Sequence, residues 1–166
     1  MAPVMLAPAE EKIKAEREKK KILFVCTGNT CRSPMAEAMF RFLFPNSEFE
    51  PFSRGLAADG SPISENAALA LENRGVLPSL GNDYRNHVSR NVSDEDIENS
   101  DIIVGITSSH AMALMMRYPV AASRITAMPS DISDPFGGDL ERYTECLGEI
   151  EKCLTDAFGT ACSEND

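Results

Sequence analysis

A cysteine and an arginine six positions apart frame the segment Cys26-Thr27-Gly28-Asn29-Thr30-Cys31-Arg32-Ser33. A thiolate is a strong nucleophile, and a guanidinium is a planar fork that matches two phosphate oxygens and keeps its charge. Together they suit a reaction in which sulfur attacks phosphorus while the arginine holds the oxygens. The flanks agree with that chemistry. Ile22-Leu23-Phe24-Val25 is a short continuous apolar run, the pattern of a strand buried on both faces of a parallel sheet. On the other side a helix is expected from about Ser33 to Phe44, with Pro34 in its first turn and Pro45-Asn46 ending it. A loop feeding a helix N-terminus turns backbone N–H groups inward under the positive end of the helix dipole, which makes an anion site before any side chain is counted. Gly28 is expected to supply a backbone conformation that other residues resist. Cys26, where the donors converge, is expected to have a pKa well below that of an ordinary thiol, and the same donors would stabilise charge building on phosphorus. The bland alternative is a structural cysteine after a strand beside an incidental arginine, and the spacing and placement weigh against it.

The loop must be held by a larger frame. A second strand is expected over Glu48 to Ser53, where Pro51 restricts it to a sheet edge or a bulge. Ser61-Pro62 reads as cap and first position of a helix that Gly75 closes. Ser93-Asp94-Glu95-Asp96 resembles a capping box, with Val92 and Ile97 as its hydrophobic staple. Ile102 to Ile106 is a further buried strand, Thr107 caps a helix that ends before Pro119, and Arg124 to Met128 is a fourth strand. The last helix is expected from about Asp139 to Phe158, with Gly159 beyond it. Alternating strands and helices predict an α/β fold, a doubly wound four-stranded parallel sheet with helices on both faces. In such sheets ligands bind at the carboxyl ends of strands, which is where the loop after Val25 lies.

The 166 residues suit one domain, and a hydrophobic content of 43% suffices for a core. Residues 9–21 are nearly all charged helix formers without an apolar face, so residues 1–20 are expected as a flexible extension, 21–159 as the domain and 160–166 as a flexible tail. A net charge of −10 argues against nucleic-acid binding. No apolar run reaches membrane-spanning length, and near the start the positive charges follow the weakly apolar stretch, the wrong order for a secretory signal. Five irregularly spaced cysteines do not make a disulfide framework. A cytoplasmic monomer is expected, with at least one free thiol. The two histidines stand 23 positions apart and no cysteine pair has the C-x-x-C spacing, so neither a metal nor a cofactor is expected.

The stretch V-C-T-G-N-T-C-R-S-P-M-A-E-A resembles the low-molecular-weight protein tyrosine phosphatase family, and Ser53-Arg54-Gly55, His87-Val88-Ser89 and Asp134-Pro135-Phe136-Gly137 continue the likeness. It spans about Ile22 to Phe158. The resemblance implies Cys26 as nucleophile, Arg32 as phosphate clamp and Asp134 as the acid that protonates the leaving group. It implies Asn29, Ser33, Ser53 and His87 as residues that brace the loop. Thr27, Gly28, Asn29, Thr30, Cys31 and Phe136 are then expected to contact the phosphorylated protein substrate. A phosphocysteine would form and be hydrolysed, with Asp134 acting as acid and then as base. Asp139 is expected to help receive a cationic side chain. His110 is read as a surface residue, Met112, Leu114, Met115 and Met116 as core, and Cys146 and Cys153 as buried hydrophobes sharing a helix face. Cys162 falls in the tail. Cys31, on the same tight loop as Cys26, is expected to pair with it on oxidation.

Two features bear on the substrate. Thr30 stands where tyrosine phosphatases of the family typically carry Ile, and G-N-T-C-R-S-P with D-P-F-G-G resembles the protein arginine phosphatase branch. The stretch Leu56 to Gly60 lacks the aromatic residue that would stack on a phosphotyrosine ring. Protein arginine phosphatase is the leading expectation and protein tyrosine phosphatase the alternative. An arsenate reductase would need redox cysteines mid-chain, and none lies between Cys31 and Cys146. A phosphocysteine carrier would need to shield its phosphate from water, which an Asp134 placed to activate water opposes.

Overall fold

The computed structural model describes residues 19–163. Four strands, β1 (Lys20–Cys26), β2 (Phe49–Gly55), β3 (Ile102–Gly105) and β4 (Ile125–Ala127), form one sheet in the order β2-β1-β3-β4. Every pairing is parallel. The connecting helices are α1 (Arg32–Leu43), α2 (Glu65–Arg74), α3 (Asp94–Asn99) and α4 (Ser108–Arg117), and α5 (Leu140–Ser163) follows the last strand. This is the doubly wound four-stranded sheet expected from the sequence.

Side chains along β1 alternate between the two layers. Ile22 and Phe24 pack with Met35, Met39 and Phe40 of α1, Leu71 of α2 and Ile150 and Leu154 of α5. Leu23 and Val25 pack with Ile97 of α3 and Ala111 and Leu114 of α4. All four apolar residues of β1 are fully buried, each contributing roughly 1.5–3 kcal/mol. Chain order departs in opposite directions from β1 and β3, so the crevice at their carboxyl ends is the switch point of the sheet, and Cys26 ends β1 there. Pro51 sits in β2, an edge strand, where its missing N–H is not needed.

Several expectations are corrected at their ends. β1 begins at Lys20, since Lys20 and Lys21 pair with Phe49 and Glu50, so the end of the supposed extension belongs to the sheet; its residues 1–18 lie outside the described residues. Ser61-Pro62 does not open α2. Ser64 caps it by accepting from the Ala67 N–H, while Ser61 turns back to the Asp59 carboxylate. Gly75 does close α2, at φ 98°. Gly159 does not end α5, which runs on to Ser163, four residues into the supposed domain end and tail. Residues 164–166 lie outside the described residues, as does the side chain of Cys162. Among the described residues no helix is long and apolar enough to cross a membrane.

Candidate active site

The backbone of residues 26–31 is held from outside by its carbonyls. Cys26 O accepts from Leu56 N, Thr27 O from Ala57 N, Thr30 O from Ser64 N and Cys31 O from Met35 N, at 2.9 to 3.1 Å. His87 Nε2 lies 2.7 Å from Asn29 O, and a carbonyl only accepts, so this nitrogen carries a proton. A trans peptide sets its N–H opposite its C=O. With the carbonyls committed outward, the N–H groups line the inside of the loop at the N-terminus of α1, which makes an anion cradle. Gly55, opposite Cys26 in the sheet register, is required by close approach. A Cβ there would stand 2.6 Å from Thr27 O.

The left-handed residue in this loop is Asn29, at φ 59°, and not Gly28 as expected. Asn tolerates this region better than most side chains because its amide bonds locally. Here the amide is spent in full. Asn29 Nδ2 donates to Ser33 Oγ at 2.8 Å and Ser53 Oγ at 3.0 Å, and its Oδ1 accepts from Arg90 N at 3.0 Å. Those bonds orient both hydroxyls. Ser53 donates onward to Glu37 Oε1 at 2.9 Å, and Ser33 Oγ sits 2.9 Å from Cys26 Sγ, with Arg54 O a more distant acceptor at 3.5 Å. The structure therefore brings Asn29, Ser33, Ser53 and His87 together around the loop.

Cys26 is 3% exposed. Burial pushes its thiol above the ordinary value, against the pull of the Ser33 hydroxyl, the N–H groups of Ser33 and Asn29, and Arg32. The upward balance corrects the expected depression. Desolvation of the charged form outweighs the donors the sequence pointed to. Arg32 is also buried. Its Nη1 donates to Ile132 O at 3.0 Å, and its Nη2 lies 3.6 Å from Asp134 Oδ2. Asp134 is half-exposed and its Oδ1 accepts from Phe136 N at 3.1 Å, the turn expected of Asp-Pro, so one carboxylate shapes its loop and faces the guanidinium. Cys31 Sγ lies 3.3 Å from the Tyr143 hydroxyl, whose pKa burial pushes up to about 12.

A cleft opens over the loop, lined by residues 26–32, by Ala57, Asp59 and Ser61 to Glu65 on one wall, and by Asp134 and Phe136 on the other. Phe136 is the one aromatic residue among these. Asp139 does not line it. It caps α5 by accepting from Arg142 N. Two further readings of side-chain placement fail. His110 is buried at 6% exposure, with Nε2 3.0 Å from Thr27 Oγ1. Met112 and Met116 are 64% and 79% exposed and Met115 is exposed too, so of that group Leu114 alone is core. Cys146 and Cys153 are buried as expected. Sequence reasoning missed Tyr143, Asp59, Glu65 and the role of His110. For the last a signal existed, because Thr107-Ser108-Ser109-His110 has capping-box spacing and forms one.

A buried thiol on the floor of an anion cradle, at the switch point of a doubly wound sheet, defines a cysteine-dependent phosphatase. Residues 21–165 match the low molecular weight phosphotyrosine protein phosphatase family, and the chain belongs to that family of phosphoprotein phosphatases. The protein-arginine-phosphatase of Geobacillus stearothermophilus is 35% identical over 143 residues, covering 81% of this chain and 90% of that protein. The low molecular weight protein-tyrosine-phosphatase PtpB of Staphylococcus haemolyticus is 33% identical over 137 residues, covering 78% and 91%. Among solved structures, the YwlE arginine phosphatase from Geobacillus stearothermophilus superposes with a TM-score of 0.74 at 32% identity, over 89% of this chain and 97% of that one.

Proposed function

We propose that this chain is a protein arginine phosphatase, acting in the cytoplasm as a monomer. The observation that carries the reading is the cleft wall. Thr30, Ser61 and Ser64 offer hydroxyls and Asp59 and Glu65 offer carboxylates, the first shared with Ser61 and the second with Arg85, beside Ala57, Pro62 and Ile63, and no aromatic ring stands among them. A guanidinium leaving group is polar and cationic, so the oxygens in this wall suit it, while an aryl ring would find no stacking partner there.

In this reading the inward N–H groups of residues 27–32 and the Arg32 fork hold the phosphoryl oxygens, while Ile132 O fixes the angle of the fork. Cys26 passes its thiol proton to an oxygen of the bound phosphoryl group, and the resulting thiolate forms the S–P bond as the P–N bond to the side chain breaks. Asp134 delivers its proton to the departing guanidine nitrogen, without which that group leaves poorly. Water then attacks phosphorus, Asp134 takes its proton, the S–P bond breaks, and inorganic phosphate leaves with Cys26 restored. Ser33 donates to the thiolate in both steps, and Asn29, Ser53 and His87 keep the loop in shape.

A tyrosine phosphatase is the second reading, favoured by Phe136, which at 77% exposure could stack on an aryl ring at the cleft mouth. Parallel hydrolysis of phosphoarginine and phosphotyrosine proteins decides, with Thr30→Ile beside the native enzyme. The native protein should favour phosphoarginine. The variant should lower that ratio by a factor corresponding to about 1–3 kcal/mol. A native preference for phosphotyrosine, or an unchanged ratio in the variant, defeats the proposal.

A further inference from the structure

One buried titratable group, His110 in the first turn of α4, touches the cleft without a part in the reaction described above. Its ring nitrogens are in different settings. Nδ1 lies 3.2 Å from Thr107 N and 3.0 Å from Thr107 Oγ1. A backbone N–H only donates, so Nδ1 carries no proton. Burial and then the Arg32 charge lower the pKa of the ring to about 4, against the opposing pull of Asp134 and Asp131, so the imidazole is neutral at pH 7. Its one proton is therefore on Nε2, and Nε2 donates to Thr27 Oγ1 at 3.0 Å.

Thr27 follows the nucleophile and lines the cleft with Arg32 and Asp134. Its main chain is pinned by the bond from Ala57 N to Thr27 O, and its side chain by His110. One lone pair of the hydroxyl is taken by the imidazole, so its hydrogen is free to point elsewhere. A phosphoryl group is the acceptor that every substrate of this enzyme brings to that place.

We infer that His110 is a positioning residue that holds the Thr27 hydroxyl as a side-chain donor to the bound phosphoryl group, supplementing the backbone donors of the loop. The arrangement needs a neutral ring, because a proton on Nδ1 would oppose the Thr107 N–H. Arg32 has a part in this as well, since its charge helps keep His110 neutral. The inference rests on phosphatase chemistry alone and is independent of which amino acid carries the phosphate.

The test compares Thr27→Val, Thr27→Ser, His110→Leu and the Val/Leu double variant at pH 7. Inorganic phosphate affinity is read by calorimetry and as competitive inhibition, and kcat/KM is read on an aryl phosphate. Thr27→Val should weaken phosphate binding and lower kcat/KM, each roughly tenfold for a lost bond to a charged acceptor. Thr27→Ser should restore both. His110→Leu should lose about as much as Thr27→Val, and the double variant no more than either, since the two act as one unit. Thr27→Val leaves the cap of α4 intact and should melt with the native protein, so it decides the matter even where His110→Leu folds poorly. Native phosphate affinity in Thr27→Val, or additive losses in the double variant, overturns the inference. Absence of turnover in every protein, native included, would count against the reaction instead, and phosphate affinity would still decide the role of Thr27.

Discussion

Replacing Asn29 by alanine tests the claim that the loop is shaped by one side chain bonded on all sides. The substitution places a Cβ-bearing residue without local hydrogen bonding at φ 59°, at a cost of about 1–2 kcal/mol. It also deletes the donors to Ser33 and Ser53 and the acceptor for Arg90 N. The two hydroxyls keep Cys26 and Glu37 as partners, so their loss is mild, whereas Arg90 N loses its acceptor at about 1–3 kcal/mol. The total expected in urea unfolding is about 2–5 kcal/mol. Asn29→Gly removes the same bonds but accepts the left-handed backbone, so it should recover roughly 1 kcal/mol relative to alanine. Both variants should lose at least about a hundredfold in kcat/KM, because a 1 Å misplacement of cradle donors carries that penalty. Equal stability of the Ala and Gly variants would refute the strain, and a loss under about 1 kcal/mol in either would refute the bonded network.

Three further outcomes are expected. Cys26→Ser should abolish turnover while retaining the fold and phosphate binding, since a serine hydroxyl does not ionise at neutral pH; more than trace phosphate release removes Cys26 from the reaction. Peroxide should give a reversible Cys26–Cys31 disulfide, and Tyr143→Phe, which removes the nearer of the two hydroxyls at the Cys31 thiol, should speed it; mass spectrometry showing sulfonic Cys26 beside free Cys31 would count against this. Acid should cost stability through His110, because its folded pKa of about 4 lies below the ordinary 6.5. The unfolded chain then binds more protons between those values, so stability is full above about pH 6.5, falls toward pH 4, and loses at most about 3 kcal/mol from this group. Denaturation series at pH 7, 5.5 and 4.5 should show this decline reduced in His110→Gln, and equal declines would refute it.

What was legible in the sequence was local. The apolar run at Ile22–Val25, the cap at Thr107 and the left-handed stop at Gly75 each depend on residues within a turn, and each is where it was read. The misreadings share a different cause. Met112 and Met116 are apolar, yet α4 meets the sheet through Ala111 and Leu114, and the opposite face has no layer over it among the described residues. Ser61 had a partner two residues back that outbid the helix. His110 and Thr27 are 83 positions apart, and nothing in the local pattern of either signals the other. Likewise the desolvation that raises the Cys26 pKa comes from everything packed around it and is invisible in the loop motif.

The floor and the walls of the cleft are built by different means, and this bears on how substrate choice can change. The floor depends on Asn29, Ser33 and Ser53, all buried, and on Glu37, which Arg41 also holds, in one bonded series ending at Cys26. The wall formed by residues 57–65 is joined to the loop by Ala57 N to Thr27 O and Ser64 N to Thr30 O, which are main-chain bonds only. Its side chains at Asp59, Ser61 and Glu65 are therefore not required for the shape of the cradle, and neither is the exposed ring of Phe136. A family that keeps the floor can replace these walls and change the group it accepts while the phosphorus chemistry stays the same. Thr30 is the place where the two parts meet, its carbonyl tied to the wall and its side chain open to the cleft. A substitution there reaches the leaving group without breaking a bond in the floor. That is the physical reason to look for substrate selectivity at Thr30 and for catalytic collapse at Asn29.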